Sequence, residues 1–228
     1  MKTKLLIFLV VPLLLASSCK KNQLKQPTDV SFKMDINRNQ SSDGKLVFTG
    51  GTINLESFSV SGTRQEGDPI SFSNSFSGGL LVNFSPTGDI PQLNFEIPQG
   101  VYTSLEVSFD TYEGPGGVTI MVNGIYTNNG SVDIPVIFEF MSSETFAIES
   151  EDDVNSGVVV LEKDKPVSSL IKLDPIHWFD ILTNNQLENA TLTNINGTPT
   201  ILINADTNEN LYDLMADRID ESAESVFN

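Results

Sequence analysis

The adjacent residues His177 and Trp178 are the side chains whose types suggest a reactive or ligand-binding centre. A serine hydrolase needs a histidine base that a carboxylate orients, and Asp174 or Asp180 could fill the second role. The sequence contains no Gly-x-Ser-x-Gly segment that would place a nucleophilic serine. We therefore assign no catalytic residue and expect a non-enzymatic protein. His177 and Trp178 remain candidates for ligand binding, with a structural pair as the expected alternative.

Carboxylates could bind a cation in an acidic segment that separates two apolar stretches. A solvated loop is the expected structure for this segment, and a cation site is the alternative. Because the chain has one histidine and one cysteine, a zinc site built from these two residue types is excluded. No cofactor is expected. The candidate ligands are Glu149, Glu151, Asp152 and Asp153.

A second stretch has part of the spacing of a calcium-binding EF-hand loop. Asp206, Asn208 and Asn210 occupy its first three ligand positions, and Asp217 falls at the twelfth. Leu211 stands where the sharp turn of that loop requires glycine. The run therefore favours a helix start capped by Asn208, with Ca²⁺ binding as the alternative.

The balance of charges excludes one class of partner. Thirty acidic residues against 13 basic ones give a net charge of −17, which repels phosphate backbones, so no nucleic-acid partner is expected. Carbohydrate binding or processing remains an alternative function, because aromatic side chains on a sheet surface can stack on sugars. The candidate aromatic residues are Tyr102, Tyr112, Tyr126 and Trp178.

The first 18 residues have the three-part pattern of a secretory signal. Lys2 and Lys4 precede the apolar run Leu5–Leu15, and the small residues 16–18 follow it. The run has about 11 residues, whereas a membrane-spanning helix needs roughly 20. Residues 16–19, Ala-Ser-Ser-Cys, resemble the lipobox of bacterial lipoproteins, which acylate the cysteine and cleave before it. The resemblance implies lipidation at Cys19 and attachment to a membrane through that lipid.

The residues that flank Cys19 also indicate where in the cell the protein is located. The lipobox family usually has leucine three residues before the cysteine, and Ala16 stands there instead, a departure found in Bacteroidota-type lipoproteins. Residues 19–29 are polar and predict a flexible tether. Surface-exported lipoproteins of that type tend to have acidic residues after the cysteine, whereas this chain has Lys20 and Lys21. We expect a bacterial outer-membrane protein that faces the periplasm.

The body of the chain, residues 30–228, has the alternating pattern of β-strands. Apolar residues at 30, 32, 34 and 36 alternate with polar ones, and about ten such segments follow with turn residues between them. A β-bulge near Glu56 and Ser57 would bring two apolar pairs onto one face. Asn128–Gly130 is typical of a hairpin turn. The pattern predicts a single, mainly β domain with an antiparallel β-sandwich or barrel.

A helical period replaces the alternation from about residue 208 onward. The predicted amphipathic helix has an acidic outer face and an apolar stripe that would pack on the sandwich. Its apolar residues are Leu211, Leu214, Met215, Ile219, Ala223 and Val226.

Four segments resemble uncharacterised envelope lipoproteins of the Bacteroidota type: residues 50–55, 97–102, 175–179 and 210–212. Those proteins are thought to carry a prealbumin-like β-sandwich, related in architecture to immunoglobulin domains. The resemblance implies this fold here and no activity, because its motifs are turns and packing residues. We expect a lipid-anchored protein that binds or assembles with another envelope protein or a glycan.

A pilus-type or adhesive surface subunit is an alternative function. Some Bacteroidota-type pilins begin as lipoproteins and polymerise by strand exchange after cleavage at an arginine. Arg38 and Arg64 are the first arginines of the chain, and Arg38 follows the first predicted strand. Cleavage there would free that strand and open a groove.

Overall fold

The structure is a computed structural model that describes residues 26–114, 116–152 and 158–227. These residues form a mainly β domain with thirteen strands, all connected in one mixed sheet, and three α-helices. The predicted signal segment and Cys19 lie outside the described residues. The first strand begins at Pro27, inside the stretch predicted as a tether.

The strands are β1 (Pro27–Ile36), β2 (Leu46–Arg64), β3 (Ile70–Asn83), β4 (Asn94–Pro98), β5 (Gly100–Thr111), β6 (Ile120–Thr127), β7 (Asp133–Phe140), β8 (Thr145–Asp152), β9 (Val159–Leu161), β10 (Val167–Leu173), β11 (Leu192–Ile195), β12 (Thr198–Ile203) and β13 (Ala223–Phe227). The helices are α1 (Pro175–Phe179), α2 (Asn184–Glu188) and α3 (Glu209–Ala216), and a 3-10 helix covers Pro91–Leu93.

The alternating pattern of β1 is confirmed, and it places the strand in the core. Val30, Phe32, Met34 and Ile36 are each at most 1% exposed. β1 pairs with β10 on one edge and with β4 on the other, so its main chain is hydrogen-bonded on both sides. Because successive side chains of a strand point to opposite faces, the period-two pattern determines which residues enter the core.

The expectation of an antiparallel sheet is wrong for three pairings. β1 runs parallel to β10, β12 parallel to β7, and β13 parallel to β8. Parallel neighbours need a crossover of a dozen or more residues, and each of these pairs is separated by far more chain than that. Turn signals reveal local hairpins, and they carry no information about such distant pairings.

β2 is the longest strand and pairs with three other strands. It pairs with β3 along one edge; along the other edge it pairs first with β6 and then with β5. The predicted bulge is confirmed, because the register shifts between Leu55 and Ser57. The shift leaves Leu55 and Phe58 both fully buried. The hairpin predicted at Asn128–Gly130 is also confirmed and joins β6 to β7.

The prediction of a long C-terminal helix is wrong beyond residue 216. α3 ends at Ala216, and the last described residues form β13 between β8 and β10. Main-chain hydrogen bonds to two neighbouring strands outweigh the weak helical preference of this segment. Leu211 and Met215 are buried as predicted, whereas Leu214 is 42% exposed. Asn208 precedes the helix, but its side chain bonds to Thr191 and to Leu202 rather than capping it.

Candidate functional site

A polar cleft lies where β1 and β10 end and the C-terminal segment returns to the sheet. It has a volume of about 330 Å³, and we call it the Asp174 cleft. Asp174 caps α1: its Oδ1 accepts hydrogen bonds from the main-chain N–H groups of Ile176 and His177 and from the side-chain amide of Asn37 at 3.0 Å. The lining residues are Asn37, Asn39, Lys172, Asp174, Ser222, Ala223 and Glu224.

The cleft carries charges of both signs on its rim. Lys172 Nζ lies 2.7 Å from Glu224 Oε1, across the paired strands β10 and β13. Both side chains are more than one-third exposed, so the ion pair adds little to stability. Their charged groups remain close to solvent, where a bound polar molecule could contact them.

The imidazole of His177 is held from outside the cleft. Its Nε2 lies 2.9 Å from a guanidinium nitrogen of Arg218 and 3.6 Å from Glu221 Oε2. A guanidinium can only donate, so Nε2 accepts the hydrogen bond from Arg218. Asp174 bonds to the main chain of α1, and Asp180 ends that helix. Within the described part of the chain, neither carboxylate is hydrogen-bonded to the imidazole. Within the described residues, the ring of His177 has no hydrogen bond to a serine or a cysteine.

Trp178 lies in the core and presents no surface for a ligand. It is fully buried, and its ring packs 6.1 Å from that of Phe138. Tyr102 and Tyr126 are also buried, and the Tyr102 hydroxyl donates to the carbonyl of Pro98. Burial raises the pKa of Tyr102 to about 12, and the Arg64 charge acts in the opposite direction. Tyr112 alone of the four candidates for sugar stacking is partly exposed.

The acidic candidates lie in a strand rather than in the expected loop. Glu149 and Glu151 are exposed side chains of β8, and the buried Ser150 stands between them. Asp152 ends the strand, and Asp153 falls outside the described residues. The segment joins β8 because Ser150 and Asp152 pair with β13, which sequence patterns had placed in a helix.

The described residues contain no group of three histidine, cysteine or acidic side chains placed to hold a metal ion. The EF-hand-like stretch folds instead as the start of α3. The Asp206 main-chain N–H is bonded to the Asn204 side chain, and Asn208 has a left-handed backbone conformation.

A second cleft lies between the β1–β2 connection and the first two helices. Its volume is about 280 Å³, and we call it the Asp43 cleft. Hydrogen bonds from the side chains of Ser41 and Asn184, and from the Lys45 main chain, hold the pKa of Asp43 below its usual value. Burial raises the pKa of Tyr126 to about 12, and its hydrogen bond to Glu188 acts in the same direction.

The comparisons with known proteins add no assignment. No protein-family model, curated protein or solved structure matches this chain. No helix of the described residues has the length and apolar composition to cross a membrane. The candidate site therefore rests on geometry: two polar clefts near the end of β1, each with carboxylates and hydrogen-bond donors.

Sequence patterns missed most of what surrounds His177. Arg218 and Glu221 lie about 40 residues further along the chain, on a segment predicted as the acidic face of a helix. The sequence also predicted no role for Asn37, whose side chain bonds to Asp174. The residues meet because β13 pairs with β10, which brings the chain just before β13 alongside α1.

Proposed function

We propose that the protein is a lipid-anchored, non-enzymatic envelope protein whose β domain binds or assembles with another envelope component. The apolar run at Leu5–Leu15 and the lipobox-like residues ending at Cys19 support the anchor. The polar clefts support binding. We further propose that the protein is held on the bacterial outer membrane, facing the periplasm.

We also propose that the domain is a β-sandwich, as expected from the resemblance. Packing between strands that do not pair supports this arrangement. β1 and β2 are not hydrogen-bonded to each other, yet the rings of Phe32 and Phe58 lie 5.2 Å apart in the core. Phe72 of β3 and Phe95 of β4 lie 6.3 Å apart in the same way.

The observation that carries the proposed function is the direction of β1. Pro27 stands eight residues after Cys19, a stretch that extends to at most about 28 Å. Pro27 pairs with Pro98 of β4, and the hydroxyl of the neighbouring Thr28 donates to the carbonyl of Lys165. The ten residues of β1 then lead away from this end over about 33 Å. Both clefts lie near the far end of β1, so the anchor would present them away from the membrane.

Replacing Cys19 with serine should abolish lipid attachment. We expect radiolabelled palmitate to enter the wild-type protein and a Ser18→Ala control, and to be absent from Cys19→Ser. The variant should also leave the membrane fraction, because two or three acyl chains anchor stably whereas the protein surface is acidic. Equal labelling of Cys19→Ser and wild type would contradict the anchor.

Protease treatment of cells tests the leaflet and the direction of the domain. We expect protection on intact cells and digestion after the outer membrane is permeabilised. Digestion on intact cells would overturn the periplasmic location and favour adhesion or capture at the surface.

The position of β1 favours the pilus-type subunit as a second candidate. β1 lies between β10 and β4, so its release would open a groove bounded by two strands. Arg38 follows two residues after β1 and is 37% exposed at its side chain, although Asp35 holds its guanidinium at 2.6 Å. Arg64 is only 9% exposed, and as part of β2 it pairs with Tyr102 of β5. Arg38 is therefore the more accessible cleavage site.

Polymerisation by strand exchange predicts a ladder of SDS-resistant species in envelope extracts. An Arg38→Ala variant should lose the ladder, because cleavage after residue 38 is then blocked, whereas Arg218→Ala should keep it. A protein that migrates only as a monomer in unheated extracts would exclude this second function.

A further inference from the structure

The edge strand β3 differs from the other ends of the sheet. β3 has 14 residues, whereas the edge strands β4 and β11 have five and four. Among the described residues, β3 pairs with β2 and with no other strand. Natural sheets protect their edges by keeping them short or by placing charges and prolines on them. β3 has neither a charge nor a proline between Ile70 and Asn83.

The charge distribution favours an uncharged partner surface at this edge. Residues 69–88 form a run of 20 residues without a charged side chain, in a protein with a net charge of −17. Two copies of so acidic a protein repel each other wherever their charged surfaces meet. This strip is where they could approach with least repulsion.

The sequence of the edge strand is self-complementary. Ser71-Phe72-Ser73-Asn74-Ser75-Phe76-Ser77 reads the same in both directions around Asn74. In an antiparallel pair of two such strands, each Phe72 would lie opposite Phe76 of the second copy, and each Ser73 opposite Ser75. A two-fold axis requires this relation, because it brings the same patch of both subunits together.

The faces of β3 suit continuation of the sheet across the axis. Phe72, Asn74 and Phe76 are partly buried on one face, and the serines between them are exposed on the other. The Asn74 amide donates to the carbonyl of Gln92 at 2.7 Å, which holds the 3-10 helix against the partly buried face. Pairing through the edge would leave these contacts intact and would use main-chain groups that β2 does not bind.

The irregular part of β3 begins at the end of the palindrome and includes its last two residues, Phe76 and Ser77. Gly78 and Gly79 have φ angles of 90° and 82°, and residues 76–79 face only Glu56 across the ladder with β2. Phe76 and Ser77 therefore have no residue opposite them on β2. Leu81, just beyond, is 65% exposed, the highest value among the large apolar side chains described. About the axis at Asn74, it would lie just outside residues 69–79, the stretch over which both facing strands are uncharged.

We propose that β3 is a homodimerisation edge, at which two copies of this chain pair antiparallel about Asn74 and extend the sheet. The inference goes beyond the proposed function, because it concerns self-association of the chain and does not require the lipid anchor. Binding of β3 to a different protein is the competing outcome of the tests below.

The first test is the oligomeric state of the purified full chain in detergent, measured by sedimentation. We expect a concentration-dependent dimer for wild type and a monomer for Ser73→Lys/Ser75→Lys. The control Thr103→Lys/Ala147→Lys adds the same charge on exposed positions of β5 and β8, which are paired on both edges, and should remain dimeric. If only repulsion between the acidic copies limited dimerisation, both variants would dimerise more strongly than wild type, because the added lysines lower the net negative charge.

The second test is disulfide trapping in the full chain carrying Cys19→Ser, which has no native thiol. Ser73→Cys mixed with Ser75→Cys should cross-link under mild oxidation at least several-fold faster than either variant alone, because directly opposed Cβ atoms lie within disulfide range. Ser143→Cys, exposed in a loop, gives the background rate. A wild-type protein that is monomeric throughout, or equal cross-linking in the mixed and single samples, would overturn the proposal.

Discussion

Replacing Trp178 with alanine is expected to lower the free energy of unfolding by about 3 to 5 kcal/mol, the usual loss for a buried large aromatic side chain. Trp178 is fully buried on α1, and its ring contacts Phe138 of β7. The neighbouring Phe179 contacts Phe48 of β2 at 4.9 Å. Losing the indole would therefore loosen the helix that carries Asp174 and His177. Urea denaturation followed by circular dichroism measures the effect.

The Trp178→Phe variant separates packing from hydrogen bonding. The indole Nε1 of Trp178 is buried and has no hydrogen-bond partner among the residues that the structure describes. An unpaired buried donor costs about 1 to 3 kcal/mol, and phenylalanine removes it while keeping most of the ring. We expect Trp178→Phe to lose less than half of what Trp178→Ala loses. Equal losses would show that a partner such as a buried water satisfies Nε1.

Replacing Ser225 with alanine is expected to lower the free energy of unfolding by about 2 to 6 kcal/mol, because it leaves two buried hydroxyls without a partner at about 1 to 3 kcal/mol each. Ser225 of β13 lies 2.9 Å from Ser150 of β8 and 2.9 Å from Ser169 of β10. All three serines are at most 8% exposed. This hydroxyl chain crosses three neighbouring strands at the point where β13 enters the sheet.

The triple variant Ser150→Ala/Ser169→Ala/Ser225→Ala tests that explanation. Removing all partners of a buried polar network together is often nearly neutral, so most of the stability lost in Ser225→Ala should return. The measurement is again the midpoint and slope of urea unfolding. Additive losses in the triple variant would mean that the serines contribute through packing volume. The Ser222→Ala variant, beside the network in sequence, serves as the control.

The sequence predicted where the strands lie better than it predicted which strands pair with each other. Alternation placed Val30, Phe32 and Met34 of β1 in the core. The bulge at Leu55–Ser57 followed from a change of phase in the same pattern. Alternation has nothing to say about which distant strand is hydrogen-bonded to which, so the parallel pairings went unpredicted.

The candidate site was predicted least well, for a related reason. His177 and Asp174 were named, but Arg218, Glu221 and Asn37 reach them from other parts of the chain. Short-range spacing cannot show such contacts. The acidic residues Glu149 and Glu151 were expected in a loop because their charges hide a strand whose other face is buried.

The sequence by itself determined the residues that form the core strands, because burial of every second side chain leaves a period that can be read directly. The signal segment and lipidation at Cys19 were also predicted from a local, contiguous pattern, and they stay predictions. Only the tertiary structure made residues 223–227 a strand, because the intrinsic preferences of this segment for helix and for strand are close. Vacant hydrogen-bonding edges on β8 and β10 favoured the strand, and only the folded chain brings those two edges together.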